Sequence, residues 1–246
     1  MKKYLCFWIF VCAGLSGAEE ALVVGTTSGY APYVSLDASG RYEGFDVDFA
    51  EELGKKLGKK VVLKDCGSMP ALILALQQKK VDVLIWAISI TQEREKKMEM
   101  IYYQGEKVTQ MPLLFWKKIP ENVKTLAALK ERVVSVEAGS FQESVLRNVP
   151  GVKLKQVEKM LDGVMEIRYG KSQAVMVDPS IVPELQKKYP EIEVLQMPLE
   201  PGDCSQGNGI CINRDNPELA KRVKKAVEEL TQEGKVRELE QKWGLQ

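Results

Sequence analysis

Histidine is absent from this chain of 246 residues. That removes the commonest general base and the commonest metal ligand together, and it weighs against hydrolase and metalloenzyme chemistry. An excess of either charge is missing as well: 35 Lys and Arg face 34 Asp and Glu, a formal net charge of +1. With no dominant basic face, nucleic acid is not an expected partner. Long apolar runs are confined to the N-terminus, and beyond it nothing approaches the roughly 20 residues of a membrane-spanning helix. No internal repeat with a period of about 20–50 residues is visible, which excludes solenoids and propellers. Cysteine is sparse, with five in all.

What is present begins with a targeting segment. Lys2 and Lys3 form a basic start, residues 4–13 are almost wholly apolar, and Ser16-Gly17-Ala18 supplies small residues. Residues 1–18 therefore read as a secretory signal, cleaved after Ala18. Cleavage removes two lysines and no acids, taking the formal charge from +1 to −1. Cys12 lies inside the apolar run behind the bulky Val11, so lipid anchoring there is not favoured, and Cys6 leaves with the same segment. An exported chain meets an oxidising compartment. Cys204 and Cys211, close together in a Gly-rich connection, are expected to be bridged, although spacing alone does not fix the geometry. Cys66 is then the odd thiol, reduced and partly buried.

The remainder alternates strand and helix. Apolar runs at 21–25, 61–63, 81–85 and 111–116 read as strands, and helical patterns at 46–57, 70–78 and from 92 onward separate the first four. In the first of these helices Asp46 serves as N-cap, and Phe49, Ala50, Leu53 and Leu57 form one apolar stripe closed by Gly58. The alternation restarts with helices at 126–130, 141–148, 160–169 and 178–189 between strands at 133–136, 152–157, 174–177 and 194–195. A strand at 209–213 and two helices ending near Trp243 follow. Such alternation predicts an α/β fold with mostly parallel sheets flanked by helices. The C-terminal segment holds too little strand to stand alone and must dock on one of the two units.

Three loops at strand ends carry residues with chemistry. Tyr30 and Tyr33 sit in a Gly- and Pro-marked loop after the first strand, where α/β sheets place ligands. In Trp86-Ala87-Ile88-Ser89-Ile90-Thr91-Gln92-Glu93-Arg94, a turn of small and hydroxylated residues leads into a helix whose first turn holds Arg94. A cation there opposes the helix dipole by about 0.3–1 kcal/mol. Two readings stand: Glu93 or Glu95 offsets the charge, or Arg94, the Ser89 hydroxyl and the turn amides converge on a ligand carboxylate.

Gly44-Phe45-Asp46-Val47-Asp48-Phe49, with Leu53-Gly54 and Leu57, resembles the signature of the solute-binding proteins that serve polar amino-acid ABC importers. Ser89-Ile90-Thr91-Gln92-Glu93-Arg94, Gly139-Ser140-Phe141-Gln142-Glu143 and the closing Gly234 and Trp243-Gly244 extend the likeness over residues 21–246. Within that family the chain is most similar to binders of lysine, arginine and ornithine. The resemblance implies a two-lobed clamp joined by two crossing strands, with 20–108 and 205–246 in one lobe and 109–204 in the other. It implies that Arg94 holds a ligand α-carboxylate, helped by Ser89 and by amides near Ala87 and Phe141. It implies that Asp178 holds the α-ammonium and that Tyr30 lies along the ligand side chain.

The chain departs from the family at several positions. Met69 stands where basic-amino-acid binders usually carry an aromatic ring, and Trp86 where they carry a small residue, so Trp86 either supplies the second ring face or packs at a strand end. Thr27 replaces a frequent acid, a loss that Glu137 at the cleft edge could make good. Phe141 replaces the usual hydroxyl and leaves only its amide. The expected function is a periplasmic receptor, without cofactor or metal, that binds L-arginine first and lysine or ornithine more weakly. It would deliver the ligand to a membrane permease. An amino-acid sensor or surface interaction protein is the alternative, and an enzyme like the cyclohexadienyl dehydratases, for which Glu137 is the one strong acid, ranks below both.

Overall fold

The structure, a computed structural model, describes residues 21–245; the expected signal segment, with Cys6 and Cys12, lies outside them. The chain opens with β1 (Ala21–Thr26), the small hairpin β2 (Ser35–Leu36) and β3 (Tyr42–Glu43), then α1 (Phe45–Leu57), β4 (Lys60–Asp65) and α2 (Met69–Gln77). After β5 (Val83–Leu84), α3 (Gln92–Glu95) and β6 (Glu99–Gln104) it crosses into a second body. That body contains β7 (Gln110–Trp116), β8 (Val133–Glu137), α4 (Phe141–Arg147), β9 (Lys153–Val157), α5 (Met160–Arg168), β10 (Ala174–Met176), α6 (Val182–Lys188) and β11 (Ile192–Pro198). The chain then returns through β12 (Asn208–Ile212) and ends in α7 (Pro217–Gln232) and α8 (Lys235–Lys242).

Two five-stranded sheets result, in the orders β4-β1-β5-β12-β6 and β11-β7-β10-β8-β9. The α/β clamp is as expected, but each sheet is mixed. In the first, β1 runs parallel to β4 and β5 while β12 lies antiparallel to β5 and β6. In the second, β8 runs parallel to β9 and β10 while β7 lies antiparallel to β10 and β11. Parallel neighbours are made by helical crossovers. Strands β7 and β12 instead arrive from the other lobe and can enter in the opposite sense.

The two crossing segments touch through backbone. Val108 N–H donates to the Ser205 carbonyl at 3.0 Å, Ser205 N–H returns the bond at 3.2 Å, and Leu199 N–H reaches the Thr109 carbonyl at 2.9 Å. Side chains bury on both faces of the sheets. On β7, Leu113 and Phe115 pack with Val134 and Val136, whereas Leu114 packs with Val164 and Val175 on the opposite side. The alternation is the two-residue period of a strand covered on both faces. In the first lobe Phe45, Phe49 and Leu53 of α1 meet Tyr103 and the α7 residues Val223 and Leu230 in one core.

Gly44 opens α1 at φ 133, and a Cβ there would lie 2.1 Å from the Tyr33 carbonyl oxygen, so only glycine fits. Asp46 is not the N-cap; it is the second helical residue and is buried. Asp48 faces the other way and accepts the Trp243 indole N–H at 2.6 Å and the Lys242 ammonium at 2.7 Å. This contact docks the C-terminal helix on the first lobe. Two strands escape a sequence pattern. β6 pairs only with β12, more than a hundred residues away, and β11 runs seven residues instead of two.

The expected bridge between Cys204 and Cys211 does not form: both thiols are free, as is Cys66. Cys204 precedes the Ser205 crossing bridge, while Cys211 stands well inside the extended β12, facing the core. Cys204 lies outside the strand, beyond the bend at Gly207, and its thiol points to the Glu200 carbonyl at 3.5 Å, whereas the Cys211 thiol points to the Gly209 carbonyl at 3.8 Å, so the two sulfurs have different partners. Burial also pushes the Cys211 thiol up to about 12. Native labelling is therefore expected to modify Cys66 and Cys204, with Cys211 reacting only after unfolding. A peptide map of protein kept from reductant that contains a Cys204–Cys211 pair would overturn this.

Candidate functional site

The strand ends and the turns after them face one another across the gap between the lobes. They line a tight cavity of about 20 Å³. The first lobe contributes Tyr30, Met69, Trp86, Ala87, Ser89 and Arg94; the second contributes Glu137, Ser140, Phe141, Gln142 and Asp178. Nine of the ten residues singled out in the sequence thus line one cavity. The tenth, Thr27, is buried but is not part of the lining.

Arg94 owes its position to the short α3. Thr91 caps that helix, its hydroxyl accepting the Arg94 N–H at 3.3 Å. The guanidinium is 9 % exposed and spans the lobes: Nη1 donates to the Ser89 carbonyl at 2.9 Å, Nη2 to the Gly139 carbonyl at 3.0 Å. A guanidinium has five N–H donors, so this leaves it further bonds to give. Ser89 meets Arg94 through its backbone oxygen, where the sequence had suggested a parallel role for its hydroxyl.

Three other ionisable groups surround it. Glu137, at the end of β8, is 5 % exposed, and burial pushes its carboxyl up to about 8 while the Arg94 charge works the other way. Asp178 follows β10 and accepts the Ser180 N–H at 2.9 Å and the Ser180 hydroxyl at 2.5 Å. Burial raises its pKa, and these two bonds oppose the rise. The Tyr30 hydroxyl is raised by burial and then by the charges of Asp178 and Glu137. Its ring lies 5.2 Å from that of Trp86 at 48° and 5.9 Å from that of Tyr33 at 25°. Trp86 is 4 % exposed, and its indole N–H has no acceptor among the described residues.

Of the amides expected near Ala87, that residue's own is engaged elsewhere. The Ala87 N–H does not face the cavity: it donates to Asp46 Oδ2 at 2.7 Å and lies 3.3 Å from the Tyr103 hydroxyl oxygen. Sequence reading did not place Ser140 and Gln142 in the lining, nor Asp46 and Gly139 as its supports. Asp46 could have been suspected from its place between Phe45 and Phe49, on the buried side of the helix. Gly139 stood out only as the turn residue of one family-like motif. It has φ 73, and a Cβ would stand 3.3 Å from Met69 Cγ and 3.4 Å from Pro70 Cγ on the opposite lobe.

Two lobes, each an α/β sheet, joined by paired crossing segments and closed over a polar cavity, define a clamp of the periplasmic-binding-protein type. The family described as bacterial extracellular solute-binding proteins, family 3, matches residues 22–246, and the chain belongs to it. A probable ABC transporter arginine-binding protein, ArtJ, of Chlamydia trachomatis is 34% identical over 253 residues, covering 99% of this chain and 97% of that protein. Among solved structures, an ancestral arginine-binding protein bound to arginine superposes with a TM-score of 0.80 at 29% identity, covering 91% of this chain and 97% of the other. The ancestral protein bound to glutamine gives 0.79 at 30% identity, with the same coverage of both chains.

Gly139→Ala is expected to weaken ligand binding roughly tenfold, because the left-handed residue is strained by about 1–2 kcal/mol and the methyl presses on Met69 when the lobes close. Titration calorimetry with a bound amino acid checks it, and an unchanged affinity would show that closure needs no glycine there. Glu137 also makes stability depend on pH. Its folded pKa lies above the ordinary carboxylate value of about 4.3, so the folded state holds the proton longer and stability falls as pH rises from about 4 to about 8. Urea unfolding should show the difference between wild type and Glu137→Gln shrinking or reversing over that window. A difference that stays constant with pH would show Glu137 to be solvated.

Proposed function

We propose that this protein is an extracytoplasmic receptor that binds a free polar amino acid, L-arginine by preference, between its lobes and passes it to the permease of an ABC importer. The charge inventory of the cavity carries this reading. Its lining holds one cation, Arg94, and two carboxyl groups, Glu137 and Asp178, and Glu137 forms no ion pair among the described residues. A basic amino acid brings the complementary set, one carboxylate and two cations. A neutral amino acid leaves one buried carboxyl unpaired, and an acidic one adds a third negative charge, both costly away from water.

In this reading Arg94 takes the α-carboxylate bidentately, with Ser89 and the Phe141 amide beside it, and Asp178 takes the α-ammonium. Tyr30 and Trp86 supply faces for the flat guanidinium, and Met69 fills the apolar space between. Glu137 receives the guanidinium edge. Arginine is preferred to lysine and ornithine because a planar, weakly hydrated cation stacks on aromatic rings better than an ammonium. The lobes comprise 20–108 with 205–246 and 109–204. They hinge at the crossing segments, and a ligand that touches both selects the closed form. The relatives named for arginine support the ligand, and the family supports a periplasmic location reached through the signal at 1–18.

Calorimetry against the twenty amino acids, on protein unfolded and refolded to strip carried ligand, tests the proposal. Arginine should bind most tightly. Binding at pH 7 should also release protons, because the arriving cation drives Glu137 to its charged form, and Glu137→Gln should abolish most of that release. Tight binding of glutamine or cystine without an arginine signal would sink the ligand assignment and leave the clamp intact.

A further inference from the structure

Asp46 is 2 % exposed and forms no ion pair among the described residues, so its carboxylate is held in the core by hydrogen bonds alone. Oδ1 accepts the Tyr103 hydroxyl at 2.6 Å, and Oδ2 accepts the Ala87 N–H at 2.7 Å. Ala87 itself has φ 43, in the left-handed region that residues with a Cβ rarely adopt. A strained residue persists only where its surroundings over-determine it. Here the surroundings are Asp46 from α1 and Tyr103 from β6, which converge on one N–H.

We infer that Asp46, braced by Tyr103, is a positioning residue that fixes the Trp86–Ala87 peptide with its N–H turned into the first lobe and its carbonyl turned toward the cleft. The peptide plane is rigid, and its N–H and C=O point in opposite directions. Holding the Ala87 N–H inward therefore turns the Trp86 carbonyl outward, on the side where Trp86 and Ala87 line the cavity. The wall at this point offers an acceptor and withholds a donor. It favours an ammonium or guanidinium group over a carboxylate, and it leaves the carboxylate to Arg94. A flipped peptide would reverse that polarity. The inference deepens the amino-acid reading above and rests on it for the ligand, but the clamp on the peptide stands on the geometry alone.

Burial supports the arrangement from another side. It pushes the Asp46 carboxyl up to about 7, against the bonds from Tyr103 and Ala87 that favour the charged form.

The test uses the mature chain with Asp46→Leu, Asp46→Asn and Tyr103→Phe, followed by hydrogen exchange at single amides and by calorimetry with L-arginine. Asparagine keeps an oxygen for the Ala87 N–H, whereas leucine removes it. The expected result is slow exchange at Ala87 in wild type and Asp46→Asn, and fast exchange in Asp46→Leu, with the amides of β1 and β4 still protected. Arginine affinity should fall roughly 10- to 100-fold in Asp46→Leu and stay within about fivefold in Asp46→Asn. Should Asp46→Leu fail to fold, Tyr103→Phe gives the same readout in milder form, with faster exchange at Ala87 than at its neighbours. A uniform loss of protection across the first lobe would mean that Asp46 is only structural and would overturn the inference. So would an Ala87 amide indifferent to all three changes. If wild type binds no arginine but Ala87 exchange responds as described, the ligand reading fails and the peptide clamp stands.

Discussion

A guanidinium held out of water in the gap between two lobes is the constraint around which this molecule is arranged. Arg94 cannot shed its charge, so its surroundings must answer it. They do so with two carbonyls, one from each lobe, and with the carboxyl group of Glu137. Because water is largely excluded, each of these interactions is stronger than it would be on the surface, and each unpaired group is correspondingly costly. The site sets one cation against two carboxyl groups, a pattern that a partner of reversed signs completes.

Such a set is useful only if the two halves can part and meet. The lobes are connected by two narrow segments that pair at Val108 and Ser205 through backbone bonds. In the proposed receptor such a connection is the natural place to bend, because few side chains there need repack. Closure then depends on fit across the gap. Gly139, with no side chain, lets the turn after β8 come against Met69 and Pro70 and brings its carbonyl to Arg94.

The motif at the start of α1 shows how one short stretch serves two distant needs. Asp46 and Asp48 stand on different sides of the helix. Asp46 reaches the Ala87 peptide behind the cleft, and Asp48 ties down Trp243 and Lys242 at the other end of the chain. Read locally, both acids look like ordinary helix-start residues that suit the dipole. Their real partners lie 41 and 195 residues away.

By itself the sequence determined the alternation of strands and helices, the pairing of two similar units and the residues gathered in the cleft. These follow from local periodicity, from strand-end loops and from the family motifs, all of which are written in neighbouring residues. Only the tertiary structure decided the rest. The antiparallel entry of β7 and β12 depends on chain crossing, and β6 is a strand because β12 returns beside it. The same return buries Cys211 within β12 and leaves Cys204 outside it, so the bridge that closeness in sequence suggested is not made. The direction of the Ala87 N–H, and with it the polarity of one cleft wall, is set by a carboxylate and a hydroxyl that no local pattern connects to it. Contacts between residues far apart in sequence leave no periodic trace, and they are formed only when the chain has folded around them.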